Sequence, residues 1–229
     1  MGVFFSLALA PAVILLVYIY HKDKAQPEPI SKLLKGVFYG VLSCLLTLAM
    51  TSFMPDFGNG DLVGAAMDAF FNAAIPEEMA KLFMLWLLVR KMKEFDEPLD
   101  GIVYAVCVGM GFAAFENVMY LLQEDDMVAV GIMRGLFSVP GHFCFAVAMG
   151  FYYALAHFGE ENKMQNKCLA LFVPIMLHGI YDTCLMMSSD SDWWWLVMVG
   201  WFVFFVVMFK HAVKRINKLR EMSLEQNSY

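Results

Sequence analysis

The chain alternates long apolar stretches with short polar connections. Seven stretches, residues 3–20, 33–53, 62–89, 101–122, 128–158, 169–187 and 193–209, are long enough to cross a bilayer as helices. A helix rises about 1.5 Å per residue, so about 20 apolar residues cover about 30 Å of hydrocarbon. The third and fifth stretches are overlong, and they contain Pro76 and Pro140. A helix that is tilted, or kinked or broken at the proline and supported by its neighbours, fits both. The predicted fold is all-α: a polytopic membrane helix bundle of about seven transmembrane helices.

The charges agree with seven crossings rather than six or eight. Lys22, Lys24, Lys32 and Lys35 fall in the first connection, Arg90, Lys91 and Lys93 in the third, and Lys163 and Lys167 in the fifth. Lys210, Lys214, Arg215, Lys218 and Arg220 follow the last stretch. The other connections hold Asp56, Asp61, Glu124, Asp125, Asp126, Asp190 and Asp192, without Lys or Arg. Basic connections stay in the cytoplasm, which sets the N-terminus outside and the C-terminus inside a cell membrane of bacterial type.

Composition narrows the class further. Hydrophobic residues make up 60% of the chain and the mean hydropathy is +0.61, well above a soluble domain. The net charge of −6 comes mainly from the outer acidic connections and calls for no nucleic-acid partner. The basic tail, about residues 210–229, is expected to lie against the anionic lipids of the inner leaflet. Short connections leave room for a single transmembrane domain, 1–229, with no internal repeat of the inverted-transporter kind. Cys44, Cys107, Cys144, Cys168 and Cys184 show no CxxC spacing and read as small buried hydrophobes.

Ionisable residues inside four of the stretches turn a scaffold into a candidate for chemistry. They are Glu77-Glu78-x-x-Lys81, Glu116, His142 and His178-x-x-x-Asp182. Such groups are costly at the bilayer centre unless they face a packed or watered interior. Pro76 suits the first turn of a fresh helical segment, where carboxylates are also favoured. Glu77 reaches Lys81 at i,i+4 and Glu78 at i,i+3. Adjacent side chains diverge by about 100°, so one glutamate is expected to pair while the other faces a cavity. A structural ion pair would explain only one of them.

The other motifs leave two readings each. Asp68 and Asn72, four apart, form a polar stripe that carries water inward or bonds a neighbouring segment. Gly109 and Ala113 offer a small-residue face for close helix packing, and Tyr120 is placed to donate to Glu116. Glu116 alone fits an active-site ligand or a structural acceptor. His178 and Asp182 share a helix face, so they bind one metal together or the aspartate fixes the histidine tautomer. Counted from the charged flanks at about 1.5 Å per residue, all four motifs fall near the midplane.

The ordered set Glu77-Glu78-x-x-Lys81, Phe115-Glu116-x-x-x-Tyr120, His142 and His178-x-x-x-Asp182 resembles the PrsW intramembrane proteases. These are distant relatives of the CAAX prenyl endopeptidases and the bacteriocin-protection (Abi) membrane proteins. The resemblance covers about residues 62–187, a catalytic-like core. It implies hydrolysis of a peptide bond in a membrane-anchored protein, with Glu77, Glu78, His142 and His178 catalytic and Lys81, Glu116 and Asp182 supporting. It also implies a substrate class, single-span anti-sigma factors cut at the first step of a stress response.

Two chemistries follow from the resemblance. In one, Glu77 or Glu78 activates water while His142 and His178, with Glu116 or Asp182, hold Zn2+. In the other no metal is bound and the histidines polarise the scissile carbonyl. The chain lacks an HExxH motif, and its residues fit both. Lys81 would tune the glutamate pair, and Asp182 would orient His178 or join the metal shell. The alternative function is a proton-coupled transporter that uses the same Glu, His and Asp groups as a relay.

Overall fold

A computed structural model describes residues 2–57, 61–187 and 192–226; Asp190 of the outer connections lies outside the described residues. All regular structure there is helical: α1 (Gly2–Lys22), α2 (Ile30–Thr51), α3 (Leu62–Met67), α4 (Ile75–Val89), α5 (Asp100–Gln123), α6 (Met127–Met133), α7 (Val139–Phe158), α8 (Lys163–Met186) and α9 (Trp194–Gln226). Between α3 and α4, and again between α6 and α7, the chain winds as a π-helix, Asp68–Ala74 and Arg134–Ser138. Each pair is therefore one rod, and the described residues form seven continuous helices.

The π-helical turns show how the prolines are accommodated. A proline has no N–H and its ring clashes with the carbonyl four residues before it. Here both rods widen just ahead of the proline: Ile75 N–H donates to Phe70 O and Val139 N–H to Arg134 O, five residues back. Pro76 and Pro140 then sit in the first turns of α4 and α7. The helices are re-wound rather than broken. Each rod also starts on an aspartate cap, Asp61 accepting from Gly64 N–H at 2.7 Å and Asp126 from Ala129 N–H at 3.1 Å.

Six of the seven rods are long and apolar enough to cross a membrane: α1, α2, α5, α6–α7, α8 and α9. The other, α3–α4, carries Glu77, Glu78 and Lys81 within its apolar residues, which dilutes its hydropathy. The chain is a multi-pass helical membrane protein. Outward-facing side chains such as Phe38, Phe83, Phe172, Trp195 and Phe202 are the apolar surface that such a helix offers to lipid.

Helices α5 and α7 form the centre, and small residues set their distances. A Cβ on Gly40 of α2 would meet Val108 O at 2.1 Å, and one on Gly111 of α5 would meet Val37 O at 2.1 Å. The two backbones touch there, as small-residue crossings allow. The predicted face at Gly109 receives α7, with Ala146 Cβ at 2.7 Å from a Cβ built on the glycine.

At one end of the bundle, Phe57 N–H and Asn72 Nδ2 both donate to Asp68 Oδ1, at 2.9 and 2.8 Å, and Asn72 donates again to Pro55 O. The polar stripe thus ties the α2–α3 connection to its helix. At the opposite, basic end, the tail has a packed face as well as a basic one. It continues the last span as one 33-residue helix, about 50 Å long and well beyond a bilayer's hydrocarbon. Ala212, Ile216, Leu219 and Ser223 are buried along one face, and Ser223 Oγ accepts from Leu99 N–H at 2.9 Å. Lys210, Lys214 and Lys218 face outward. The tail is a docked helix with a basic outer face, not a segment resting only on lipid.

Asp23, Glu28, Glu97 and Asp100 are buried beside it. Burial pushes the Asp23 carboxyl up to about 7 and raises Glu28 as well. The cysteines are free; Cys44, Cys107 and Cys144 are buried, whereas Cys168 is exposed.

Candidate active site

The first turn of α4 supplies two carboxylates and the next turn a cation to meet them. Lys81 Nζ donates to Glu77 Oε2 at 3.0 Å and to Glu78 Oε1 at 2.8 Å. Both glutamates therefore pair with one ammonium, where helix geometry alone predicted that one would turn away. The reach is possible because long helical side chains lean toward the N-terminus, over the preceding turn. The ammonium also lies 3.9 Å above the buried Phe112 ring, a cation–π contact. All three residues are buried.

His142 stands in the first turn of α7, just after Pro140. Its Nδ1 lies 3.2 Å from Lys81 Nζ and its Nε2 lies 3.1 Å from Glu116 Oε2. An ammonium can only donate, so Nδ1 accepts and Nε2 carries the proton toward Glu116. The partners assign the neutral tautomer. His178 of α8 is placed differently. Its Nδ1 is 2.9 Å from Glu78 Oε1, while its Nε2 is 3.0 Å from Asp182 Oδ2 and 4.0 Å from Glu77 Oε2. Both nitrogens face carboxylates, an arrangement satisfied by donation from each. Phe145 stacks on the ring at 4.6 Å, and the two histidine rings lie 5.3 Å apart.

Arg134 is the member that the sequence analysis missed. Its Nη2 donates to Glu116 Oε2 at 2.5 Å and its Nε donates to Asn117 Oδ1 at 2.8 Å. Its guanidinium sits 3.8 Å over the Tyr120 ring. Tyr120, expected to donate to Glu116, instead supplies the surface beneath the arginine that does so. A signal was available: an arginine within a predicted span is itself an intramembrane charge needing a partner. It lies in the π-helical stretch, eight residues and about two turns before His142, and both face Glu116.

Four of the sequence-predicted residues converge most closely. Glu77, Glu78, His142 and His178 each offer a ligand atom within 4.8 Å of the others, and all four are buried. Glu116 and Asp182 lie one step outward, each behind a histidine, with side chains 16% and 20% exposed. Lys81 is at the centre of the group. Four carboxylates thus face Lys81, Arg134 and two imidazoles, the pairing that buried charges require. Glu78 Oε2 is buried with no hydrogen-bond partner. The chemistry within reach is proton transfer between carboxylate, imidazole and a polar reactant, or ligation of a metal.

Beside the cluster, a groove of about 880 Å³ runs between α4 and α8 toward the basic end. Met79, Phe83 and Trp86 form one wall, Leu171 belongs to the other, and Arg90 and Lys167 stand at its rim. Met79 adjoins Glu78, so the groove begins at the level of the carboxylates.

Comparison with known proteins gives one consistent answer. A family model described as PrsW family intramembrane metalloprotease matches residues 28–209. Protease PrsW of Geobacillus kaustophilus (strain HTA426) is 34% identical over 215 residues, 94% of this chain and 91% of the relative. Protease PrsW of Clostridioides difficile (strain 630) is 33% identical over 93% and 90% of the two chains. Protease PrsW of Bacillus subtilis (strain 168) is 31% identical over 96% and 97%. No solved structure matches the chain significantly.

Proposed function

Because the chain belongs to the PrsW family of intramembrane metalloproteases, and so is a membrane-embedded peptidase, we propose how and on what it acts. It cuts a membrane-anchored protein at about the depth of Glu78, and the substrate class is a single-span anti-sigma factor cut to start a stress response. Residues 62–187 are the catalytic unit. The observation that carries this reading is the convergence of Glu77, Glu78, His142 and His178 from three separate helices into one buried group.

In the proposed mechanism one glutamate removes a proton from water. Glu78 is the better candidate of the pair, because its Oε2 has no other partner. His178 donates to both Glu78 and Asp182, so it can give a proton to the departing amine and then be reprotonated by the glutamate that took one from water. Lys81 balances the charge of the glutamates and fixes the acceptor nitrogen of His142. Glu116, held by Arg134, orients His142 from its other side.

The donor set fits a divalent metal by residue type, with two imidazoles, two carboxylates and an orphaned buried oxygen. His142, His178 and one of Glu77 and Glu78 would hold it, with zinc the metal these ligands favour. A bound zinc supplies Lewis acidity that makes water a nucleophile near neutral pH. A metal-free reading is favoured by one specific observation. Three of the four donor residues already share an internal cation, Lys81, at 2.8, 3.0 and 3.2 Å. In that reading the imidazoles polarise the scissile carbonyl directly.

The test is co-expression with a panel of single-span anti-sigma factors, probed for fragments. Wild type is compared with Glu77→Gln, Glu78→Gln, His142→Ala and His178→Ala at matched membrane levels. The expected result is a fragment made by wild type and lost in the variants. A fragment that survives all four substitutions sinks the assignment and returns the proton-relay transporter to the front. Metal analysis and chelation of the active protein separate the zinc and metal-free readings.

A further inference from the structure

We propose that Asp23, Glu28, Glu97 and Asp100 form a binding site for a hard divalent cation, Mg2+ or Ca2+, at the basic end of the bundle. Asp23 and Glu28 come from the α1–α2 connection, Glu97 from the α4–α5 connection, and Asp100 opens α5. Their exposures are 1%, 5%, 2% and 0%. Asp23, Glu97 and Asp100 each bring an oxygen within 4.8 Å of the others.

The two aspartates are anchored on one side and open on the other. Asp23 Oδ2 accepts from Glu28 N–H at 3.2 Å, and Asp100 Oδ2 accepts from Asp96 N–H and Glu97 N–H at 2.9 Å each. The second oxygen, Oδ1 in both, is buried with no hydrogen-bond partner. Glu28 Oε2 accepts from Tyr104 Oη. Among the described residues no Lys or Arg forms an ion pair with Asp23, Glu28 or Asp100. The side chains of Asp23 and Glu97, and of Glu28 and Asp100, also meet one another, and Oδ1 of both aspartates is left in that buried space without a donor.

An ion completes such a set. Burying the carboxylates of Asp23 and Asp100 with an open oxygen on each is costly, and oxygen-only ligands select hard cations over zinc. Oxygens within 4.8 Å of one another suit Ca2+, whose bonds are about 2.4 Å; Mg2+, at about 2.1 Å, would draw them closer or retain water. Asp100 and Glu116 are sixteen steps apart on α5, about 24 Å along the helix, so the ion stands apart from the peptidase chemistry. It would staple the connections that launch α2 and α5, next to the point where Ser223 of α9 docks on Leu99.

The test uses the full chain in detergent micelles, stripped with EDTA near neutral pH and titrated separately with MgCl2 and CaCl2. Heat of binding and thermal unfolding are read together. The expected result is saturable binding with a rise in Tm of about 5 °C at a hundredfold excess over Kd. The double variant Asp23→Asn/Asp100→Asn should lose that rise, because Asn keeps the backbone acceptor but not the charge. Glu97→Gln serves the same purpose if the double variant does not fold. Silence of the wild type to both cations overturns the site and leaves the carboxyls to share protons. An equal rise in wild type and variants also overturns it, placing the ions elsewhere.

Discussion

Lys81 and His142, 61 residues apart in the chain, meet at 3.2 Å between Nζ and Nδ1. The contact makes a lysine on α4 the tautomer-setting partner of a histidine on α7. The same ammonium neutralises two glutamates, so one residue governs three. Lys81→Met should therefore destabilise the protein by about 3–5 kcal/mol, since buried carboxylates lose their partner. Adding Glu77→Gln should recover part of that stability without restoring cleavage, because His142 still lacks its donor. Thermal unfolding and fragment yield, measured on the same preparations, check both halves. An active Lys81→Met protein would mean that cleavage does not need the ammonium.

Arg134 acts on the site through Glu116. Its removal leaves the Glu116 carboxylate facing His142 alone, with Asn117 Oδ1 also losing its donor. Arg134→Gln should lower cleavage about 10- to 100-fold, the usual range for a group that orients a ligand or base. Arg134→Lys should recover little, because one ammonium cannot reproduce the two directed N–H bonds of the guanidinium. Single-turnover cleavage in detergent reads the effect, with unfolding temperature as the control for folding. Equal activity in wild type and Arg134→Gln would remove the arginine's hold on Glu116 from the mechanism.

The contact of α2 with α5 leaves no room for side chains. The Cβ added by Gly40→Ala would lie 2.1 Å from Val108 O, and the obstacle is backbone rather than a flexible side-chain tip. A loss of about 1–3 kcal/mol is expected, as for other overpacked sites. The same change at Gly2, where nothing lies within 4 Å, should be neutral. Thermal unfolding of the two variants tests the contrast.

The helices and the ionisable groups buried among them were legible in the sequence because both follow from solvent alone. Lipid demands apolar length, and any charge within it must be satisfied, so Glu77, Glu78, Glu116, His142 and His178 stood out without tertiary information. What could not be read was direction. Whether Glu77 and Glu78 diverge or share Lys81 depends on rotamers that α7 and α8 impose from outside the helix. Arg134 lay near an acidic outer loop, where a span edge and a buried charge look alike in sequence. The π-helical turns were invisible because apolar periodicity does not report one extra residue per turn beside a proline. The docking of the tail was hidden for a related reason. Its basic residues dominate the composition, while Ala212, Ile216 and Leu219 mark a buried stripe only when placed on a helix.

That stripe makes a prediction separable from catalysis. Ile216 and Leu219 are fully buried although they lie beyond the apolar stretch that crosses the membrane. They pack with the same core as Leu99, Ile102 and Phe143, so the tail closes the basic end of the bundle rather than trailing from it. Water is the reference solvent at that end, and a large-to-small change there leaves a cavity as in a soluble core. Leu219→Ala should cost about 2–4 kcal/mol. Lys214→Ala, on the exposed face, should change stability by less than about 0.5 kcal/mol. The cleavage rate per folded molecule should be the same in both, because neither residue approaches α4 or the histidines. The check is thermal unfolding alongside cleavage normalised to folded protein. A Leu219→Ala protein as stable as wild type would show that the tail rests on the bundle without supporting it.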